Sequence, residues 1–258
     1  MKVSFIGAGN MGGAIVKGFC LAGVFKPEEL FVADASEQTL KSVSEINSCI
    51  FTSTSNKEVA KGADYIIIAV KPWLMDVVLE DIKPVLTAGQ TIVSIAAGVD
   101  LSHIAEVVGN DKPLFRVLPN TAVALLAGMN FVSALNASKE QEEFVLGIFN
   151  KLGLAISVPE SQMGAFTSVS SCGIAYALRY LRAATQGAVE LGIRPDIAQE
   201  VIAQTMIGAA ELILKNKSNA EAEIDKVTTP GGWTIKGLNA MEQNGFSNAV
   251  IQGIKANR

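Results

Sequence analysis

Through the first two-thirds of the chain apolar positions fall into short bursts, each followed by a longer stretch of helical periodicity. Strand-like runs stand at 3–6, 30–33, 49–52, 65–70, 91–95, 114–118, 130–134 and 155–158. The run 65–70 reads Y-I-I-I-A-V, apolar at every position, as a central parallel strand covered on both faces should. Helical patterns occupy the intervals, for example 11–22, 101–108 and 139–152. This alternation predicts an α/β domain over 1–158, a parallel sheet flanked by helices.

After Pro159 the strand-like runs vanish. The remainder, 159–258, reads as an all-helical domain with helices at 173–191, 195–215, 220–227, 235–244 and 246–255. Pro195 suits a first helical turn, and Gly192 closes the helix before it. The segments 173–191 and 197–214 carry apolar or small residues on almost every face, so both must be buried on all sides. A domain of this size rarely provides that cover alone, which predicts an obligate helical interface between subunits. There is no low-complexity segment and no internal repeat.

Composition narrows the function. Of 258 residues, 49% are hydrophobic and 18% charged, so the chain is globular, not disordered. A net charge of −4 argues against a nucleic-acid partner. No run reaches eighteen consecutive apolar residues, so no membrane span is expected. Met1-Lys2 leads directly into a strand-like run, so no secretory leader is expected either. Cys20, Cys49 and Cys172 fit neither a disulfide framework nor a metal site, and the simplest location is a reducing cytoplasm. His103 is the single histidine and lies in a helical pattern, where a structural or solvated role is expected. Without a histidine relay or a metal, a cofactor must do most of the chemistry.

The cofactor is legible directly after the first strand. Gly7-Ala8-Gly9-Asn10-Met11-Gly12 forms G-x-G-x-x-G in strand–turn–helix context, the fingerprint of a Rossmann-type dinucleotide site. The first glycine permits the tight turn, the second lets backbone approach a pyrophosphate, and the third allows close helix–strand packing. Amide groups at the helix start then meet the phosphate charge. Asp34 ends the second strand, where a carboxylate accepts from the adenosine ribose hydroxyls and repels a 2′-phosphate. That favours NADH, whereas Ser36, Ser55, Asn56 and Lys57 stand where they could meet the 2′-phosphate of NADPH. An alternative for Asp34 is a helix N-terminal acid. Two further loops follow strands, Ala69-Val70-Lys71-Pro72 and Ile95-Ala96-Ala97-Gly98, and Pro119-Asn120-Thr121 forms a third. Lys71 reads equally well as a ribose contact or as a solvated loop lysine.

The helical domain holds two unusual stretches. Ser170-Ser171-Cys172-Gly173 precedes a helix and offers hydroxyls and free N–H groups, a cradle for a carboxylate. Thr228-Thr229-Pro230-Gly231-Gly232-Trp233-Thr234 likewise leads into a helix. Each alone is an ordinary N-cap and turn, but two of them beside a dinucleotide fold point to a carboxylate-binding pocket.

Taken together, these segments resemble the pyrroline-5-carboxylate reductase family over essentially the whole chain. The matching pieces are F-I-G-A-G-N-M-G at 5–12, S-N-K-E at 55–58, A-V-K-P at 69–72, A-A-G-V at 96–99 and P-N-T at 119–121. The most specific is V-T-T-P-G-G-W-T-I-K-G-L at 227–238. The resemblance implies a Rossmann domain followed by a helical domain that interlocks with a second subunit, with dimers able to assemble further. It implies hydride transfer from NADPH or NADH to 1-pyrroline-5-carboxylate, giving L-proline. By the same resemblance Ser170, Gly173, Thr229, Gly231, Gly232 and Thr234 surround the substrate carboxylate, with Ser170 and Thr234 as positioning groups. Asn56 and Lys71 serve the cofactor. No residue is assigned as an acid–base catalyst, because a protonated imine accepts hydride without one.

The chain departs from the family pattern at Cys172, where serine is usual, at Ala122, where proline is usual, and at Trp233, where a small residue or threonine is common. Arg182 occupies a helix position where an acid is frequent. Two other functions compete: a related imine or keto reductase with an altered pocket, and a non-catalytic dinucleotide sensor. β-Hydroxyacid dehydrogenases rely on a lysine in the helix after the substrate loop, and 173–191 has none.

Overall fold

The computed structural model of the chain describes residues 1–257. It divides into two compact units, Met1–Ser171 and Cys172–Arg258.

The first unit alternates strand and helix as the apolar pattern predicts. Strands β1 (Val3–Ile6), β2 (Leu30–Ala33), β3 (Phe51–Ser53) and β4 (Tyr65–Ile68) alternate with helices α1 (Asn10–Leu21), α2 (Glu37–Ile46) and α3 (Asn56–Ala60). Helix α4 (Met75–Ile82), β5 (Thr91–Ser94), α5 (Leu101–Val108), β6 (Leu114–Pro119), β7 (Gly128–Leu135), α6 (Lys139–Asn150), β8 (Gly153–Ser157) and α7 (Met163–Val169) complete it. The eight strands form one sheet in the order β3-β2-β1-β4-β5-β6-β7-β8. The order reverses between β1 and β4, the kind of switch point at which open α/β sheets bind ligands.

One expectation needs correction: the sheet is not wholly parallel. β7 runs antiparallel to β6, with Leu114 opposite Leu135 and Pro119 opposite Asn130. Too few residues separate these strands for a crossover helix, which a parallel return requires. Instead a short 3₁₀ segment, Thr121–Leu125, and a left-handed Leu126 (φ 58°) turn the chain back.

Both sheet faces are covered. Phe5, Ile67, Phe19, Phe115 and Phe149 pack on one side, and Ile6, Ile66, Ile68, Met75, Leu79 and Ile104 on the other. This alternation explains why β4 is apolar at consecutive positions. Each large side chain so buried contributes about 1.5–3 kcal/mol relative to exposure.

The compact unit ends later than the sequence division after 158. Met163 is fully buried with Leu118, Phe131 and Val158, and Phe166 stacks on Phe131 at 4.5 Å. Buried Arg116 on β6 also bonds Glu160 Oε1 at 3.0 Å, and that oxygen accepts from Leu101 N at 2.8 Å. Side chains from 160–166 therefore belong to the sheet's packing although no strand runs there.

The second unit is helical: α8 (Ser171–Glu190), α9 (Pro195–Asn216), α10 (Ala220–Lys226), α11 (Trp233–Gln243) and α12 (Phe246–Lys255). Pro195 takes the first turn of α9, and Gly192 sits at φ 89° after α8, both as predicted. Tyr176 on α8 donates to Gly253 O at 3.2 Å, fastening α8 to α12. Yet α8 buries no residue and α9 buries only Ala198. By length and mean hydropathy (1.3) α9 would pass for a membrane span, although Asp196, Glu200, Glu211 and Lys215 interrupt it.

Candidate active site

The carboxyl ends of the strands around the switch point open into a cleft of about 690 Å³, within the usual size for a small-molecule site. Three loops build its walls: Gly7, Gly9, Asn10 and Met11 after β1, Ala69–Pro72 after β4, and Ile95–Ala97 after β5. Leu118, Pro119, Asn120 and Thr121 close one end, and Asp34 borders the other side.

The three glycines of the first loop differ in kind. Gly7 sits at φ 92°, and a Cβ there would lie 2.8 Å from the Ala69 carbonyl oxygen. A Cβ on Gly12 would drive into the Gly7 carbonyl oxygen, so this glycine serves packing and does not line the cleft. A Cβ on Gly9 would meet nothing within 4 Å, which leaves open space where a pyrophosphate would approach the backbone. The loop therefore fits a dinucleotide on both counts: it is held from behind and vacant in front.

Asp34 does more than face the cleft. Its Oδ2 accepts from Ala8 N at 2.8 Å and its Oδ1 from Ser36 N at 2.9 Å. One carboxylate thus ties the glycine loop to the turn before α2, whose own N-cap is Ser36. Free lone pairs remain on both oxygens for ribose hydroxyls.

Asn120 is buried and held at both ends of its amide. Its Oδ1 accepts from Ala122 N (3.2 Å) and Met129 N (3.3 Å), so its Nδ2 is aimed at Ser170 Oγ, 3.1 Å away. Ser171, from the cradle stretch 170–173, also lines the cleft, and so does Thr167, which the sequence does not single out. The only sequence signal at Thr167 is its helical i, i+4 spacing from Ser171, which is too common to notice.

Several expected residues stand elsewhere. Ala8 is buried behind the loop, and Gly98 (φ 78°) shapes its turn without lining the cleft. Asn56 does not line it either: its Nδ2 donates to Asp81 Oδ2 at 3.2 Å. Gly173 does not precede a helix but lies inside the first turn of α8, which starts at Ser171. In the second unit, Gly231 takes φ 71° and Gly232 N donates to Thr229 O at 3.0 Å, forming the turn into α11. A Cβ on Gly232 would sit 2.5 Å from Thr229 Oγ1. Thr234 occupies the first turn of α11, and Trp233 beside it is 90% exposed. Among the described residues no group of acidic, histidine or cysteine side chains could hold a metal ion.

Comparison with known proteins meets this geometry at both ends. Residues 160–258 match the family model for pyrroline-5-carboxylate reductase dimerisation. Residues 2–98 match that for NADP oxidoreductase, coenzyme F420-dependent. A pyrroline-5-carboxylate reductase of Methanosarcina acetivorans is 36% identical, with 97% of this chain and 94% of that protein aligned. Pyrroline-5-carboxylate reductase 1 of Dictyostelium discoideum is 34% identical over 98% of the chain, which spans about half (48%) of that relative's length. A Plasmodium falciparum pyrroline carboxylate reductase solved with NADP bound superposes with a TM-score of 0.89 at 29% identity, covering 100% of this chain and 95% of that one. With the dimerisation model matched over 160–258 and relatives above 30% identity aligned over nearly the whole chain, this chain belongs to the pyrroline-5-carboxylate reductase family.

Proposed function

We infer that this chain reduces the C=N bond of 1-pyrroline-5-carboxylate at the expense of NAD(P)H, yielding L-proline. One observation carries the choice of reaction: Asp34 and Lys71 are the only titratable side chains among the residues lining the cleft. Reduction of a carbonyl builds an alkoxide that needs a positioned acid. A protonated imine instead takes up hydride and becomes a neutral amine, so positioning and electrostatics suffice. A keto reductase would need Lys71, the one ammonium in the cleft, to supply the alkoxide's proton.

The nicotinamide, when bound, supplies the hydride. The chain's part is to hold both reactants. Gly7, Ala8, Gly9, Asn10, Met11 and Gly12 form the pyrophosphate loop, and Asp34 serves the adenosine ribose, with Asn56 on the turn beside it. Val70, Lys71, Pro72, Ala96, Ala97, Gly98 and Asn120 frame the remainder. Ser170, Gly173, Thr229, Gly231, Gly232 and Thr234 bind the substrate carboxylate, with Ser170 and Thr234 fixing its orientation. The Asn120–Ser170 hydrogen bond supports this assignment, because it fixes one hydroxyl at the cleft's edge. Asp34 favours NADH over NADPH by repelling a 2′-phosphate. The chain works as a homodimer through its C-terminal helices, with higher assembly open to it, and the exposed apolar faces of α8 and α9 support that reading. Pairing of this kind also accounts for the hydropathy of α9 without a membrane. Three unpaired cysteines suit a reducing compartment such as the cytoplasm.

The test is direct. Purified protein with 1-pyrroline-5-carboxylate and either dinucleotide should consume the reduced nicotinamide and form proline. Tight dinucleotide binding with no turnover on either would sink the reductase reading and favour a sensor.

A further inference from the structure

The adenosine end of the cleft carries a feature that neither the glycine loop nor Asp34 explains. β2 and β3 lie side by side, with Ala33 opposite Ser53, and Asp34 N donates to Ser53 O at 3.3 Å. The turn into α3 therefore begins beside Asp34, and it brings Ser55, Asn56 and Lys57 to the strand end where an adenosine ribose would lie. Of these groups only Lys57 is a cation. A 2′-phosphate would need it, since such a group carries about −1.5 to −2 charge.

Lys57 and Asn56 are already engaged. Asp81, near the end of α4, meets Lys57 Nζ with Oδ1 at 3.0 Å and accepts from Asn56 Nδ2 with Oδ2 at 3.2 Å. Each carboxylate oxygen holds one of the two groups best suited to a phosphate. The other acid nearby, Glu58, is bonded to Ser53 Oγ and adds negative charge to the same turn.

We propose that Asp81 is a second determinant of dinucleotide choice, acting through Asn56 and Lys57 as a positioning residue. Asp34 discourages a 2′-phosphate by repulsion, and Asp81 does so by occupying the amide and the ammonium that would bind it. The proposal rests on the reading of the cleft as a dinucleotide site with its adenosine ribose beside Asp34. Both partners of the Lys57–Asp81 pair are partly exposed, with side chains 50% and 37% accessible. The hold is therefore modest, and its release should shift affinity by about three- to tenfold.

The experiment measures dissociation constants for NADH and NADPH by fluorescence titration of the full-length protein, with no imine present. Asp81→Asn keeps the shape and an acceptor for Asn56 but removes the charge that holds Lys57. NADPH should bind about fivefold tighter while NADH stays within about twofold, and the gain should shrink at high salt. Adding Lys57→Ala to Asp81→Asn should cancel the gain. An unchanged NADPH constant, an equal shift for both dinucleotides, or a gain that survives loss of Lys57 would each overturn the role of Asp81. A wild-type chain that binds neither dinucleotide would instead overturn the reading of the cleft. Good binding without proline formation would touch only the reaction assigned to it.

Discussion

The two units of this chain use similar apolar content in opposite ways. In the first, Phe5, Phe19, Phe115, Phe149 and the β4 isoleucines find one another across the two sheet faces. In the second, Leu178, Ile197, Val201, Ile207 and Leu214 remain exposed, and among the described residues only Ala198 is buried. The first unit offsets the entropy of ordering its backbone with its own core; the second has no comparable burial to set against that cost. Its exposed apolar faces call for cover from outside the single chain, and the match of 160–258 to the dimerisation model supports a second copy as that cover.

The largest expected effect breaks this contrast. Ile207→Glu, at a residue 53% exposed on α9, should convert the dimer to monomer in light scattering and lower activity at least about a hundredfold, because a buried unpaired charge is costly at an interface. Val77→Glu, at a residue 68% exposed on α4, should change neither. Equal tolerance at both positions would mean that the second unit needs no partner. The next effect compares glycines. Gly12→Ala pushes a Cβ into the Gly7 carbonyl and should cost about 1–3 kcal/mol, with dinucleotide binding weakened at least about tenfold. Gly173→Ala meets nothing within 4 Å in the single chain and should keep or raise thermal stability. A rise in KM for the imine in that variant would place the substrate against the first turn of α8.

Much of this is legible in the sequence, unevenly. All eight strands lie where apolar bursts place them, because side-chain periodicity is local. Gly7 and Gly12 are legible for the same reason: a tight turn followed by a helix leaves no room for a Cβ. The direction of β7 is not, since it depends on how the chain returns and not on the strand's own residues. Helix α7 escapes notice because S-Q-M-G-A-F-T-S-V-S-S has no clear period. Met163 and Phe166 join the first unit only through contacts with residues far away in sequence. Asp81 carries no motif at all; its meaning emerges only when α4 packs beside α3.

Smaller effects sharpen the picture within the first unit. Asp34→Ser removes a carboxylate that takes N–H bonds from Ala8 and Ser36, so both dinucleotides should bind more weakly by a shared factor. On top of that common loss, the ratio should move towards NADPH as repulsion of a 2′-phosphate disappears. Titration of both cofactors separates the two contributions. A common loss with no change in ratio would leave Asp34 as a brace for the glycine loop and nothing more.

The smallest effect tests whether the first unit owes its stability to its core or to its surface pairs. His103 on α5 lies 2.7 Å from Asp76 Oδ1 on α4, and both are exposed. The hydrogen bond and charge of Asp76 raise the His103 pKa above its usual value of about 6.5, helped slightly by Glu106 and Asp100. A raised folded-state pKa means that the stabilisation is complete below about pH 6.5 and is lost as pH climbs through the folded-state value. His103→Gln should therefore lower Tm by about 1–2 °C at about pH 6. The difference should fade on going to alkaline pH. A gap that widens with rising pH would reverse the sign and remove Asp76 as the cause. A gap of many degrees would show that this unit, like its neighbour, depends on more than its own apolar core.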